Sequence, residues 1–136
     1  MKKLLIFIIL LVSFCMASVA HASVSKLTAY SLSYKSVDDN GQWTSWSDWE
    51  DCNILVVLNT DKDRITIYSS TTQEYDIISM DDWESDGEGG KVTEFDCVDA
   101  EGLRCGVRWR IDKDGDQQVY VDYNDFRFVY NLKSKD

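Results

Sequence analysis

The feature that most constrains this chain is a strict two-residue alternation in its C-terminal third. Leu103, Cys105, Val107, Trp109 and Ile111 alternate with Arg104, Gly106, Arg108 and Arg110. Val119, Val121 and Tyr123 alternate with Gln118, Tyr120 and Asp122, and Phe126, Phe128, Tyr130 and Leu132 alternate with Arg127, Val129 and Asn131. Successive side chains of a strand point to opposite faces, so each run predicts a half-buried β-strand. No segment carries the 3.6-residue apolar stripe of an amphipathic helix.

The rest of the chain extends this pattern. Ile54 to Leu58 is apolar on both faces and reads as a central strand. Arg64 to Ser69, Glu74 to Met80 and Val92 to Val98 are further strands, and Lys26 to Lys35 is a Thr-, Tyr- and Ser-rich one with which Gln42 to Trp49 can pair. The chain has no proline, so Gly, Asn and Asp must make its turns. Asn40-Gly41 is a hairpin dipeptide. Asp61 to Asp63, Ser70 to Thr72, Ala100 to Gly102, Asp112 to Asp116 and Asn124-Asp125 are short connections, and Asp86 to Gly90 is a longer loop. Such punctuation predicts an all-β domain: an antiparallel up-and-down meander of eight or nine short strands, closing into a small, lipocalin-like barrel or half-barrel. The alternative is a two-sheet β-sandwich, which as a Greek key would need a long connection.

At the other end, Lys2 and Lys3 precede an apolar run from Leu4 to Val12, and Ala20-His21-Ala22 offers a small-residue cleavage site. This order of parts predicts a signal peptide over 1–22 and a single β domain over 23–136, periplasmic or secreted. Ser13, Ser18 and His21 interrupt the run below the length a spanning helix needs, so no membrane insertion is expected after cleavage. Phe14 before Cys15 excludes a lipoprotein cleavage site.

Residues 23–136 hold all 24 acidic residues but not Lys2 and Lys3, two of the 14 basic ones, giving a formal charge of −12. That charge repels nucleic acid and anionic membranes. The only histidine, His21, lies in the expected leader, which removes the commonest general base. No nucleophile elbow, phosphate-binding loop or dinucleotide fingerprint is present. The expectation is therefore a protein that is not an enzyme, with no cofactor and no metal. Asp112, Asp114 and Asp116 resemble part of a calcium loop. An EF-hand needs glycine at position 6 and a glutamate at position 12; counted from Asp112, Gly115 is fourth and Tyr123 twelfth, so the segment reads as an acidic turn.

Cys52, Cys97 and Cys105 remain after the leader. Cys97 and Cys105 flank the turn at Ala100 to Gly102 and would face each other in a hairpin. An exported protein can keep disulfides, and a Cys97–Cys105 bridge is expected, closing a short loop at about 2–3 kcal/mol. Cys52 is then an odd thiol, buried or linking two chains, and monomer and dimer both stay open.

Trp43, Trp46, Trp49 and Cys52 form a W-x-x-W-x-x-W-x-x-C string. It resembles the same segment of thrombospondin type 1 repeats, in which indoles stack with arginines of a neighbouring strand; the resemblance offers Arg104, Arg108 and Arg110 as partners. The family's paired cysteines are absent, since Asn53 to Val57 follows Cys52. Gly41-Gln42-Trp43 is similar to the G-x-W of lipocalins, which implies packing of Trp43 under a basic residue of the last strand, here Arg127. More widely, the short leader, the W-x-x-W string, I-L-V-V-L-N, R-I-T-I-Y-S, Q-E-Y-D-I-I, D-x-E-G-L-R-C and Y-V-D-Y-N-D resemble small exported proteins of Bacteroides-type bacteria over nearly all of Leu27 to Leu132, implying a compact β fold and an envelope location without an activity. The functional expectation is an exported binding module contacting a glycan or protein through Trp43, Trp46 and Trp49. Its competitors are an interaction or inhibitor module acting through loops such as Asp86 to Gly90, and a structural envelope protein without a small-molecule ligand.

Overall fold

The computed structural model describes residues 23–134; the leader expected at 1–22 lies outside the described residues. Nine strands follow in order: β1 (Val24–Ser36), β2 (Glu50–Asn59), β3 (Arg64–Tyr68), β4 (Thr72–Met80), β5 (Glu84–Ser85), β6 (Lys91–Asp99), β7 (Arg104–Ile111), β8 (Gln117–Asp122) and β9 (Phe126–Ser134). No described residue is helical. The sheet runs β4-β3-β2-β1-β9-β8-β7-β6-β5, and an added β4–β6 pairing joins its ends. Eight strands thus close into an antiparallel up-and-down barrel with β5 outside it. The sandwich alternative does not form.

The inward face is the apolar face of each alternation. Val56, Ile65, Ile67, Phe95, Val107 and Val121 are almost wholly excluded from solvent, and each such side chain contributes roughly 1.5–3 kcal/mol of burial. An eight-stranded barrel is just wide enough for side chains to fill it, and the middle of this one is so filled.

Four connections share one chemistry, Asp-x-x-Gly-x, starting at Asp38, Asp86, Asp99 and Asp112. In each, the first residue's N–H donates to the carbonyl of the fifth: Gln42 at 2.8 Å, Gly90 at 3.2 Å, Leu103 at 2.9 Å and Asp116 at 2.9 Å. In each, the aspartate Oδ1 accepts N–H bonds from the third and fifth residues at 2.8 to 3.0 Å. The fourth residue must take a positive φ, which glycine does without strain; Gly102 sits at 85°. Asp112 to Asp116 is therefore an acidic turn whose leading carboxylate is engaged by its own backbone. Among the described residues no group of three or more metal-ligating side chains comes together.

Two irregularities reshape the barrel. The register of β1 slips between Ala29 and Ser31 against both neighbours. Leu27 and Ala29 point inward, but past Tyr30 the inward residue is Leu32, and Ser31 and Ser33 turn to the outer wall. The register of β4 slips likewise between Ile77 and Ser79.

The expected strand Gln42 to Trp49 does not form. Only a Val37–Trp43 bridge is regular. The segment instead straps the outer wall, with Thr44 N donating to Ser36 O and Ser47 N to Tyr34 O, each at 2.8 Å. β2 pairs with β1 only as far as Leu32, so the strap satisfies β1 backbone that β2 leaves open.

The expected Cys97–Cys105 bridge is also corrected. The two residues are direct cross-strand partners, as the hairpin predicts, but both are free thiols, as is Cys52. The Asp99–Leu103 bond makes that pair hydrogen-bonded, and alternation makes Cys97–Cys105 hydrogen-bonded too. Side chains stand further apart at such pairs than at the intervening ones, whereas a disulfide needs Cβ atoms within about 4.5 Å.

Candidate functional site

Two features of the barrel carry the exposed tryptophans among the described residues. The first is the strap. Ser33 and Val129 are register partners on the outer wall, yet only 1% and 2% exposed, because the strap lies over them. Ser33 Oγ donates to Ser47 O at 2.7 Å. Above this base, aromatic and cationic groups alternate. The Arg127 guanidinium carbon is 4.5 Å from the Trp43 ring centroid. Lys35 Nζ is 5.4 Å from Trp43 and 4.8 Å from Trp46. Trp46 meets Tyr120 edge-on at 6.1 Å, and Arg108 covers Tyr120 at 4.2 Å while donating to Asp122 at 2.6 and 3.2 Å.

The Trp43–Arg127 contact is the one the G-x-W resemblance implies. The arginines offered for the indoles are placed elsewhere: Arg104 pairs with Asp96 and Arg110 with Asp86 and Glu88, while Arg108 stacks on tyrosine. The reason is position, since the strap's contacts fall on β1, β8 and β9 and these arginines lie on β7. Trp49 stands apart, 52% exposed, with no aromatic or cationic ring contact among the described residues. The structure thus unites Trp43 and Trp46 through Lys35 and leaves Trp49 free.

The second feature is the barrel mouth at the end where β1 begins and β9 finishes. A pocket of about 490 Å³ opens there, walled by Leu27, Leu58, Trp83, Trp109, Ile111 and Gln117, with Ser25, Lys26 and Ser134 completing the lining. Trp109 is the buried floor, 4% exposed, and its Nε1–H donates to Gln117 Oε1 at 2.8 Å. Trp83 forms the rim on the link between β4 and β5, with Lys91 Nζ 4.7 Å from its ring centroid. Trp109 was visible in the sequence as a member of the inward alternation two residues from a strand end. Trp83 had no such signal, because its segment is irregular.

The thiols offer little chemistry. Burial pushes Cys97 up to about 12 and Cys105 up to about 11, and it also raises Cys52, with Asp51 adding to the effect. Thiols so shifted stay protonated and are poor nucleophiles. At the opposite end of the barrel, Tyr75 donates to Gln73 Oε1 at 2.6 Å and Tyr123 to Asp99 Oδ2 at 2.7 Å.

No family model matches the chain, and no curated protein and no solved structure matches it.

Proposed function

We propose that this chain is an exported, non-enzymatic binding module that takes a small, largely apolar ligand at the open mouth of its barrel. The pocket between Trp83 and Trp109 carries this reading. Its size falls in the range of ordinary ligand sites, about 300–1,000 Å³, and its lining joins apolar walls to the polar groups of Ser25, Lys26, Gln117 and Ser134, which can fix orientation. Gln117 is the one nearest the floor: its Oε1 is taken by Trp109, and its amide nitrogen remains to donate to a ligand acceptor. The lack of histidine beyond position 21 and the protonated thiols support a role without catalysis.

The mouth is preferred to the strap because Lys35 and Arg127 already lie over the Trp43 and Trp46 rings. A glycan or protein partner on the strap is the second reading, favoured by the half-exposed Trp49.

Titration with a naphthalene-sulfonate dye, followed by a panel of apolar small molecules and glycans, tests both. Binding at the mouth predicts a change in tryptophan emission that weakens about tenfold in Trp83→Ala, the equivalent of one lost stacking contact of about 1.4 kcal/mol. Trp49→Ala should leave that titration unchanged. Sensitivity to Trp49→Ala alone overturns the mouth in favour of the strap, and no response to any compound counts against both.

A further inference from the structure

The barrel is closed, but one of its strands outruns its neighbour. β3 pairs with β4 only from Thr72 to Asp76, and the last backbone bond on that side runs from Ile77 N to Asp63 O at 2.8 Å. Beyond it the chain keeps one partner only. Ser79 and Met80 pair with Asp96 and Phe95 of β6, Asp81 N donates to Glu94 O at 2.9 Å, Thr93 Oγ1 donates to Asp81 O at 2.6 Å, and Glu84 and Ser85 pair with Val92 and Lys91. Among the described residues, no strand pairs with the other side of Ile78 to Ser85.

This edge lacks two common guards, proline and lysine, and it is not covered: every residue from Ile78 to Ser85 is exposed. Its guards are the register slip beside Ile78 and three carboxylates. It presents apolar side chains, with Ile78 53%, Met80 47% and Trp83 39% exposed. An exposed edge with apolar side chains is a template for strand addition, main-chain bonds supplying affinity and side chains specificity.

Charge selects the occupant. Asp81, Asp82 and Glu84 lie along the edge, and none takes part in an ion pair among the described residues. A second copy of this chain would bring the same three carboxylates against them, on a molecule of net charge −10. Like charges so juxtaposed oppose pairing, and cationic side chains favour it.

We infer that the open edge Ile78 to Ser85 is a docking site for an extended, basic peptide segment that joins the sheet as a further strand. Its backbone pairs with the free side of the edge, its apolar residues meet Ile78 and Met80, and its lysines or arginines meet Asp81, Asp82 and Glu84.

A fluorescently labelled, short alternating lysine–valine peptide tests this against the full chain, with amide hydrogen exchange read residue by residue. Saturable binding is expected, with slowed exchange confined to Ile78 to Ser85 and affinity falling as salt rises. A glutamate–valine peptide of equal length should bind at least about fivefold more weakly, and so should the lysine peptide to the combined Asp81→Asn, Asp82→Asn, Glu84→Gln variant. N-methylation of alternate peptide amides, which removes the main-chain donors, should abolish binding. Equal affinity for the two peptides, binding that survives N-methylation, protection elsewhere on the barrel, self-association through this edge or no binding at all would each overturn the inference.

Discussion

The guanidinium of Arg127 lies 4.5 Å from the centre of the Trp43 ring, tying the last strand to the strap that follows the first. β1 and β9 are the first and last strands among the described residues and meet at one seam of the barrel, so this contact lies across the seam. Arg127 Nε is buried without a hydrogen-bond partner; its nearest carboxylate oxygen, Asp122 Oδ1, is 3.6 Å away, an ion pair longer than a hydrogen bond. A double-mutant cycle of Trp43→Ala and Arg127→Ala, followed by urea denaturation, should give a coupling of about 0.5–1 kcal/mol, the range for a partly exposed cation–π pair. Additive single effects would mean that the ring and the cation stabilise the seam independently.

Gly102 should resist substitution through its backbone alone. Its φ is 85°, and an added Cβ would meet nothing within 4 Å. Gly102→Ala is expected to cost about 1 kcal/mol by thermal or chemical denaturation. Gly102→Asn should cost less, because asparagine enters the left-handed region more readily. Equal costs would point to something other than φ.

Stability should fall on the acid side through Asp99. The Tyr123 hydroxyl and then the Leu103 N–H hold its carboxylate below the usual range. A lowered native value contributes stability that is complete above the unfolded value near pH 4 and is lost as pH falls through the native one. Tyr123→Phe should therefore destabilise the protein most at neutral pH, and its difference from the parent should shrink below pH 4. A difference constant with pH would remove Asp99 from the account. Tyr123 itself is raised, by burial and by donating to Asp99, so a further loss of stability is expected as pH rises past 10.

Cys52, Cys97 and Cys105 should count as three thiols. Alkylation of the unfolded protein without reductant is expected to modify Cys52, Cys97 and Cys105 alike, as read by intact mass. In the folded protein at pH 8, Cys97 and Cys105 are expected to react slowest, with about one molecule in a thousand or fewer as thiolate. Two unreactive cysteines in the unfolded protein would restore the bridge.

Much of the β-structure was legible because its signal is local. Alternation along Arg104 to Ile111 shows which side each residue presents without reference to any other strand. The Cys97–Cys105 register was legible for the same reason, since a short turn sets it. That the two sulfurs stay unbonded was not, because the choice of hydrogen-bonded over intervening pair depends on where the Asp99 turn places its closing bond. The strap is hidden from the sequence for a physical reason too: Gln42 to Trp49 has strand-like composition, but β2 already occupies the adjoining edge of β1 up to Leu32.

The sequence by itself determined an all-β fold, most of its hairpins, the inward identity of residues such as Val107, Trp109 and Val121, and the narrow chemistry of a chain whose only histidine is His21. Tertiary structure alone decided that the sheet closes, through pairings as distant as Ser31 with Asn131, whose Nδ2 donates to Ser31 Oγ at 2.9 Å. It decided that the slip at Tyr30 sends Ser33 to the outer wall beneath the strap, that Trp83 and Trp109 line one pocket at the mouth, and that β4 outruns β3 to leave an open edge. A two-residue period is written in neighbours along the chain. Closure, register slips and strand overhang depend on where remote strands begin and end, and neighbouring residues carry no trace of that.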